Sequence, residues 1–238
     1  MSLVLTARRA DRLDAVAEPL RAAGADVTVL VGDVTDDGMS DRLLDAAPVI
    51  HAVFANAGYG ATATVLDRSL DEDRRLFEVN YFAAVDLLQR AATRLRAAGR
   101  PGHLLMNSSC LAKFSLPRHG AYAASKAAQD SWCRAARLEL EPDGIHVSSV
   151  HPITTRTEFF DVSAGEVGGS GTVGPPRHTP RAFVQTPEQV ARAVVRCLRR
   201  PVPEVWTSPT TRTVAGLITM FPRLGDAILR RQAARDDA

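Results

Sequence analysis

The stretch Val49-Ile50-His51-Ala52-Val53-Phe54-Ala55-Asn56-Ala57-Gly58 decides how the chain is read. Val49 to Ala55 is an apolar run of strand length, the pattern of a strand buried on both faces of a parallel sheet. It stops at Asn-Ala-Gly, where a strand would hand over to a loop. Upstream, Leu3–Thr6 and Asp26–Val31 read as two more strands, with a helix over Ala10–Ala23 between them that Gly24 stops. Met39 to Ala47 is a short helix closed by Pro48. Downstream, Ser69-Leu70-Asp71-Glu72 is a capping box opening one or two helices to about Ala98. His103–Ser109 is the next strand, Gly120–Leu140 a helix broken by Pro142-Asp143-Gly144, and Ile145–Val150 another buried strand. Thr186-Pro187-Glu188 starts a further helix, Val205-Trp206 is a brief strand, and Val214–Arg231 is helical with a break at Pro222.

Strand and helix alternate throughout, which predicts an α/β fold with a parallel sheet and helices on both faces. No composition shift marks a second domain, so residues 1–238 are expected to form one unit. The Gly- and Pro-rich stretch of about 161–185 is expected to be a loop over a site, and about 209–238 a helical tail. Twenty-nine basic and 27 acidic residues leave a net charge of +2, which gives no reason to propose a nucleic-acid partner. Cys110, Cys133 and Cys197 are odd in number, far apart and without metal-ligand spacing; reduced thiols, a cytoplasmic location and no metal site are expected. There is no run of about 18 apolar residues that would cross a membrane, and Met1–Arg9 has the wrong charge order for a signal peptide.

Chemistry concentrates around Tyr122-Ala-Ala-Ser-Lys126. A tyrosine and a lysine four apart share a helix face. An ammonium beside a phenol favours the phenolate and so suits the phenol to proton transfer. Taken alone, such a pair is more often a surface contact. Ser109 lies thirteen residues earlier, at a predicted strand end, where ligands bind in open α/β sheets. Asn80 sits inside a predicted helix, a position that disfavours asparagine.

Asn56-Ala57-Gly58, Asn80, Ser109 and Tyr122-x-x-x-Lys126, in this order and spacing, resemble the short-chain dehydrogenase/reductases from Leu3 to about Trp206. The resemblance implies a Rossmann-like doubly wound sheet and hydride transfer between a nicotinamide cofactor and a carbonyl or alcohol substrate. It makes Tyr122 the proton donor or acceptor, Lys126 the holder of the ribose hydroxyls, Ser109 the residue that orients the substrate oxygen, and Asn80 the anchor of a relay water. Ser108 is passed over because the thirteen-residue spacing belongs to Ser109. Asp33 and Val34 would lie against the adenine, Asn56, Ala57 and Gly58 along the adenosine half, and Pro152 and Thr157 near the nicotinamide carboxamide. Ala7 stands where NAD-preferring members carry an acid. Arg8, which follows it, suits a 2′-phosphate, so NADP is expected, with NAD as the alternative. Phe159, Phe160 and Phe183 hint at an apolar substrate, and self-association is expected on the resemblance alone.

The chain departs from the family in two places. It has no Thr-Gly-x-x-x-Gly-x-Gly turn, whose glycines and helix N-terminus would take the pyrophosphate. Leu3–Thr6 matches the family's second strand, so the sheet is expected to lack its central first one, a start-site misassignment being the favoured explanation. A cofactor-free, non-catalytic relative that binds a small molecule or a partner protein is the runner-up. Gly58-Tyr-Gly60-Ala-Thr-Ala63 and Gly169-Ser-Gly171-Thr-Val-Gly174 fit a dinucleotide fingerprint by letter but lack the strand–turn–helix setting. Ile153 stands where the family has glycine, and a β-branched residue resists positive φ.

Overall fold

The computed structural model describes residues 1–155 and 184–236. Six strands carry the architecture: β1 Ser2–Ala7, β2 Asp26–Val31, β3 Ala52–Ala55, β4 Gly102–Asn107, β5 Ile145–His151 and, after two short pieces, β8 Glu204–Trp206. The short pieces, β6 Thr154–Thr155 and β7 Val184–Gln185, pair with each other in parallel. The helices are α1 Ala10–Ala22, α2 Met39–Asp45, α3 Leu70–Phe77, α4 Ala83–Ala97, α5 Gly120–Leu140, α6 Pro187–Arg199, α7 Pro209–Met220 and α8 Pro222–Asp236.

All the strand pairs are parallel. β3, β4, β5 and β8 form one sheet in that order, with Leu104 opposite Val53 on one side and Val147 on the other. Alternate residues of β4 point to opposite faces, as a strand requires. Leu104 and Met106 enter the core made with Leu88, Ala91 and Leu95 of α4 and Cys133 and Ala136 of α5. Leu105 instead meets Val150, Val205, and Val194 and Cys197 of α6. Helices therefore cover both faces, and the architecture is a Rossmann-like α/β fold. Among the described residues no helix is long and apolar enough to cross a membrane.

β1 and β2 form a separate two-stranded sheet. Among the described residues β1 pairs only with β2, and β3 only with β4. The structure corrects the reading of β3 as buried on both faces. The strand covers only Ala52–Ala55, and its two faces differ: Ala52 and Phe54 are exposed, Phe54 by 38%, while Val53 and Ala55 on the opposite face meet the main core. The capping box at Ser69 is present: its hydroxyl accepts from the Glu72 amide, and Glu72 accepts from the Ser69 amide at 2.7 Å. α3 runs into α4 through one π-helical turn, Glu78–Phe82. No helix starts between Gly58 and Ala63, so that glycine pair does not belong to a dinucleotide-binding turn. Thr157, Phe159, Phe160, Phe183, the glycines of 169–174 and nearly all of the 161–185 loop lie outside the described residues.

Candidate active site

The predicted site residues follow the carboxyl ends of successive strands, where a doubly wound sheet opens its crevice. Arg8 follows β1, Asp33 follows β2, Asn56 to Gly58 follow β3, Ser108 and Ser109 follow β4, and Pro152 follows β5.

α5 brings the tyrosine and the lysine to this edge one turn apart. Lys126 is 3% exposed, and its Nζ lies 5.6 Å from the centre of the Tyr122 ring. That ammonium donates to the Asn107 carbonyl at 2.8 Å, which among the described residues leaves two of its three donors for a ligand. Ser109 caps a short 3-10 turn, Cys110–Ala112, accepting from the Leu111 amide at 3.1 Å, and its hydroxyl lies close enough to the Tyr122 phenol to favour the phenolate. Ser108 is excluded by its partner: its hydroxyl is spent on the Lys126 carbonyl at 2.9 Å.

The electrostatics differ from the expectation. Burial pushes the Tyr122 phenol upward, and the nearby Ser109 hydroxyl works against it; the Lys126 charge is not among the causes. Burial also pushes the Lys126 ammonium down to about 7. Desolvation disfavours both charged forms and outweighs their mutual attraction.

Asn80 is fully buried in the π-helical turn. Its side chain clamps Tyr59, accepting from the amide at 2.9 Å and donating to the carbonyl at 3.0 Å, and also donates to Ser125 Oγ at 3.1 Å. Its own carbonyl, freed by the wider turn, accepts from the Gln129 side chain. The relay water expected on Asn80 thus has only the second lone pair of that carbonyl. Gly58 passes directly over this group: a Cβ there would lie 2.9 Å from Asn80 Oδ1 and 3.5 Å from Lys126 Nζ.

Beyond Gly58 a cavity of about 390 Å³ is lined by Tyr59, Val79, Arg8, Asp33, Arg68 and Arg75, among others. Arg8 approaches Asp33 at 3.8 Å. Partial burial raises the Asp33 carboxyl, but two bonds from Thr35 and the Arg8 charge bring it below its ordinary value. Val34 is half-buried beside it. Asn56 and Ala57 are exposed, and Asn56 accepts from Asn107 at 2.9 Å. The Pro152 carbonyl accepts from the Cys110 amide at 3.0 Å, and Ile153 has no positive φ.

A family model, short chain dehydrogenase, matches residues 1–166. The chain belongs to the short-chain dehydrogenase/reductase family. A fruit-fly relative, dehydrogenase/reductase SDR family protein 7-like of Drosophila melanogaster, is 28% identical over 98% of this chain and 73% of its own length. A solved short-chain dehydrogenase/reductase from Burkholderia phymatum, in complex with NAD, superposes with a TM-score of 0.81 at 24% identity, covering 94% of this chain and 86% of its own. An alcohol dehydrogenase from Thermococcus sibiricus, complexed with 5-hydroxy-NADP, gives a TM-score of 0.70 at 26% identity over 86% of this chain and 84% of its own. This member of the family is an oxidoreductase by kinship, and it keeps the serine, tyrosine and lysine within one cluster.

Ser125, Gln129, Asp130 and His151 were not singled out from sequence. Gln129 and Asp130 follow Lys126 by three and four residues on the same helix face, a signal that was available. Nothing in the sequence alone ties His151 to Ser109.

Proposed function

We propose that this chain is an NADP(H)-dependent oxidoreductase acting on a small carbonyl or alcohol substrate. The observation that carries the reading is the Ser109 hydroxyl beside the Tyr122 phenol, with Lys126 buried near the same ring. Ser109 donates to the substrate oxygen and stabilises negative charge there. Tyr122 gives that oxygen its proton in reduction and takes it back in oxidation. The buried Lys126 keeps two donors for the ribose hydroxyls, and Asn80 holds the Tyr59 backbone and Ser125 in place behind them.

The residues fit the cofactor at both its ends. Gly58 leaves open a cradle that a Cβ would fill, and the cavity beside Arg8 and Asp33 takes the adenosine half. Arg8 supplies the charge for a 2′-phosphate. When bound, the cofactor supplies or accepts the hydride.

The test is fluorescence titration of the purified chain with NADPH and NADH, followed by a carbonyl screen. Tighter binding of NADPH is expected, with preference lost in Arg8→Ala. A folded, monodisperse chain that binds neither cofactor would overturn the reading. It would favour a non-catalytic binding protein.

A further inference from the structure

A second group of charged residues lies directly behind the serine. His151, at the end of β5, is fully buried and stacks on Trp206 of β8, their rings 4.7 Å apart and 14° from parallel. Its Nδ1 lies 2.9 Å from the Ser109 carbonyl oxygen. Its Nε2 lies 3.2 Å from Asp130 Oδ1 and 2.9 Å from Ser149 Oγ. Asp130 belongs to α5, one turn beyond Lys126. Its other oxygen takes the Lys113 ammonium at 2.7 Å, and Lys113 also reaches Glu204 of β8 at 2.8 Å. Arg134 of α5 stands 4.0 Å from Glu204, and the Trp206 indole donates to the same carboxylate at 2.8 Å. Asp130, His151 and Glu204 could together hold a cation, but the Lys113 ammonium already bridges the two carboxylates.

Counting protons settles what the imidazole does. A carbonyl only accepts, so Nδ1 carries a hydrogen and donates it to Ser109. Ser149 has a single hydroxyl proton, and its Oγ lies 3.0 Å from Asp130 Oδ1. If Nε2 were bare, its lone pair would face a carboxylate oxygen in a buried site. With Nε2 protonated, every contact is satisfied: Nε2–H points to Asp130 and Ser149, and the Ser149 hydroxyl donates to Asp130. The charge on His151 then faces the Asp130 carboxylate directly, as a buried charge requires.

We infer that His151 is a positioning residue: a doubly protonated imidazole, clamped by Asp130, that grips the Ser109 carbonyl and so fixes where the serine stands beside Tyr122. The clamp joins β4 and β5 to α5, the three elements that must keep register for Ser109 to face the tyrosine. An error of about 1 Å in that placement is worth up to about a hundredfold in rate. The catalytic consequence rests on the oxidoreductase reading; the proton inventory and the hold on Ser109 do not.

The experiment is nuclear magnetic resonance on the whole chain at pH 7, with ¹⁵N-histidine and ring-¹³C-tyrosine labels. In the parent, both ring nitrogens of His151 are expected to carry protons. In Asp130→Asn, one nitrogen should lose its proton. In His151→Leu, the Tyr122 ring-carbon signal, which is sensitive to the placement of the neighbouring Ser109 hydroxyl, should shift. His103→Leu removes another buried histidine, from the opposite end of β4, and should leave that signal in place. Where turnover is measured, His151→Leu should lower kcat at least tenfold with KM for the cofactor within twofold. A bare nitrogen on His151 in the parent would overturn the inference, as would an unmoved Tyr122 signal in His151→Leu. If that variant does not fold, Asp130→Asn carries the same Tyr122 readout. An inactive parent that gives both expected signals would count against the oxidoreductase reading and leave the clamp standing.

Discussion

Tyr122 and Lys126 are pushed in opposite directions by one cause, the loss of water around both. Tyr122→Phe keeps the ring and its packing but removes the proton; activity should fall about 10²–10⁴-fold, with the melting temperature little changed. Lys126 gives a sign that can be checked on stability. Its folded value, about 7, lies below the ordinary lysine value of 10.5. Below pH 7 the folded protein bears the whole cost of a buried ammonium. As pH rises from about 7, the folded lysine sheds its proton while the unfolded one keeps it, so stability should increase. Urea unfolding at pH 7 and pH 9 should show a gain of order 2 kcal/mol, absent in Lys126→Met. Ser109, Tyr122 and Lys126 were legible because the chain places them at recurring separations. His151 and Gln129 were not, since their partners Ser109 and Asn80 lie 42 and 49 residues away and meet them only through the packing of strands on helices. The phenol's direction was misread for a related reason: spacing shows the nearby ammonium but not the burial that outweighs it.

At the scale of elements, the helix–strand alternation and the Ser69 cap could be read directly, because both depend on residues within a few positions of each other. The π-helical turn could not. It adds one residue to a helix whose apolar pattern looks unbroken, and what stabilises it is Gln129 of α5. The β6–β7 pair is two residues long, too short for any periodicity. The contact between α4 and the start of β4 was also hidden from sequence. A Cβ added to Gly102 would run into the Leu95 side chain, which is 2% exposed and part of the main core. Gly102→Ala should therefore cost about 1–3 kcal/mol by overpacking. Gly102→Ala with Leu95→Val should recover part of that loss, measured by denaturant unfolding. Equal loss in the single and double variants would show that the glycine serves its backbone rather than this contact.

For the molecule as a whole, the division of the sheet sets the order in which its parts should open. β4 and β5 are paired on both sides and almost wholly buried, whereas β1 has one partner and only Val27 of β2 is buried among the residues of those two strands. Within the β1–α1–β2 unit the buried side chains are Leu13, Ala17 and Val27. On the stretch that follows it, Asp41 and Asp45 of α2 pair with Arg90 and Arg94 of α4. Pairs this exposed contribute at most about 1 kcal/mol each and weaken in salt. Hydrogen exchange should therefore find the β1 and β2 amides opening in sub-global events, while those of β4 and β5 exchange only with global unfolding. Salt at about 1 M should speed the first set more than the second. If both sets exchanged at one common rate in low and high salt, the two sheets would be a single cooperative unit. The unpaired edges would then cost the fold far less than their lost hydrogen bonds suggest, and the crevice between Arg8 and Gly58 would be as rigid as the core beside it.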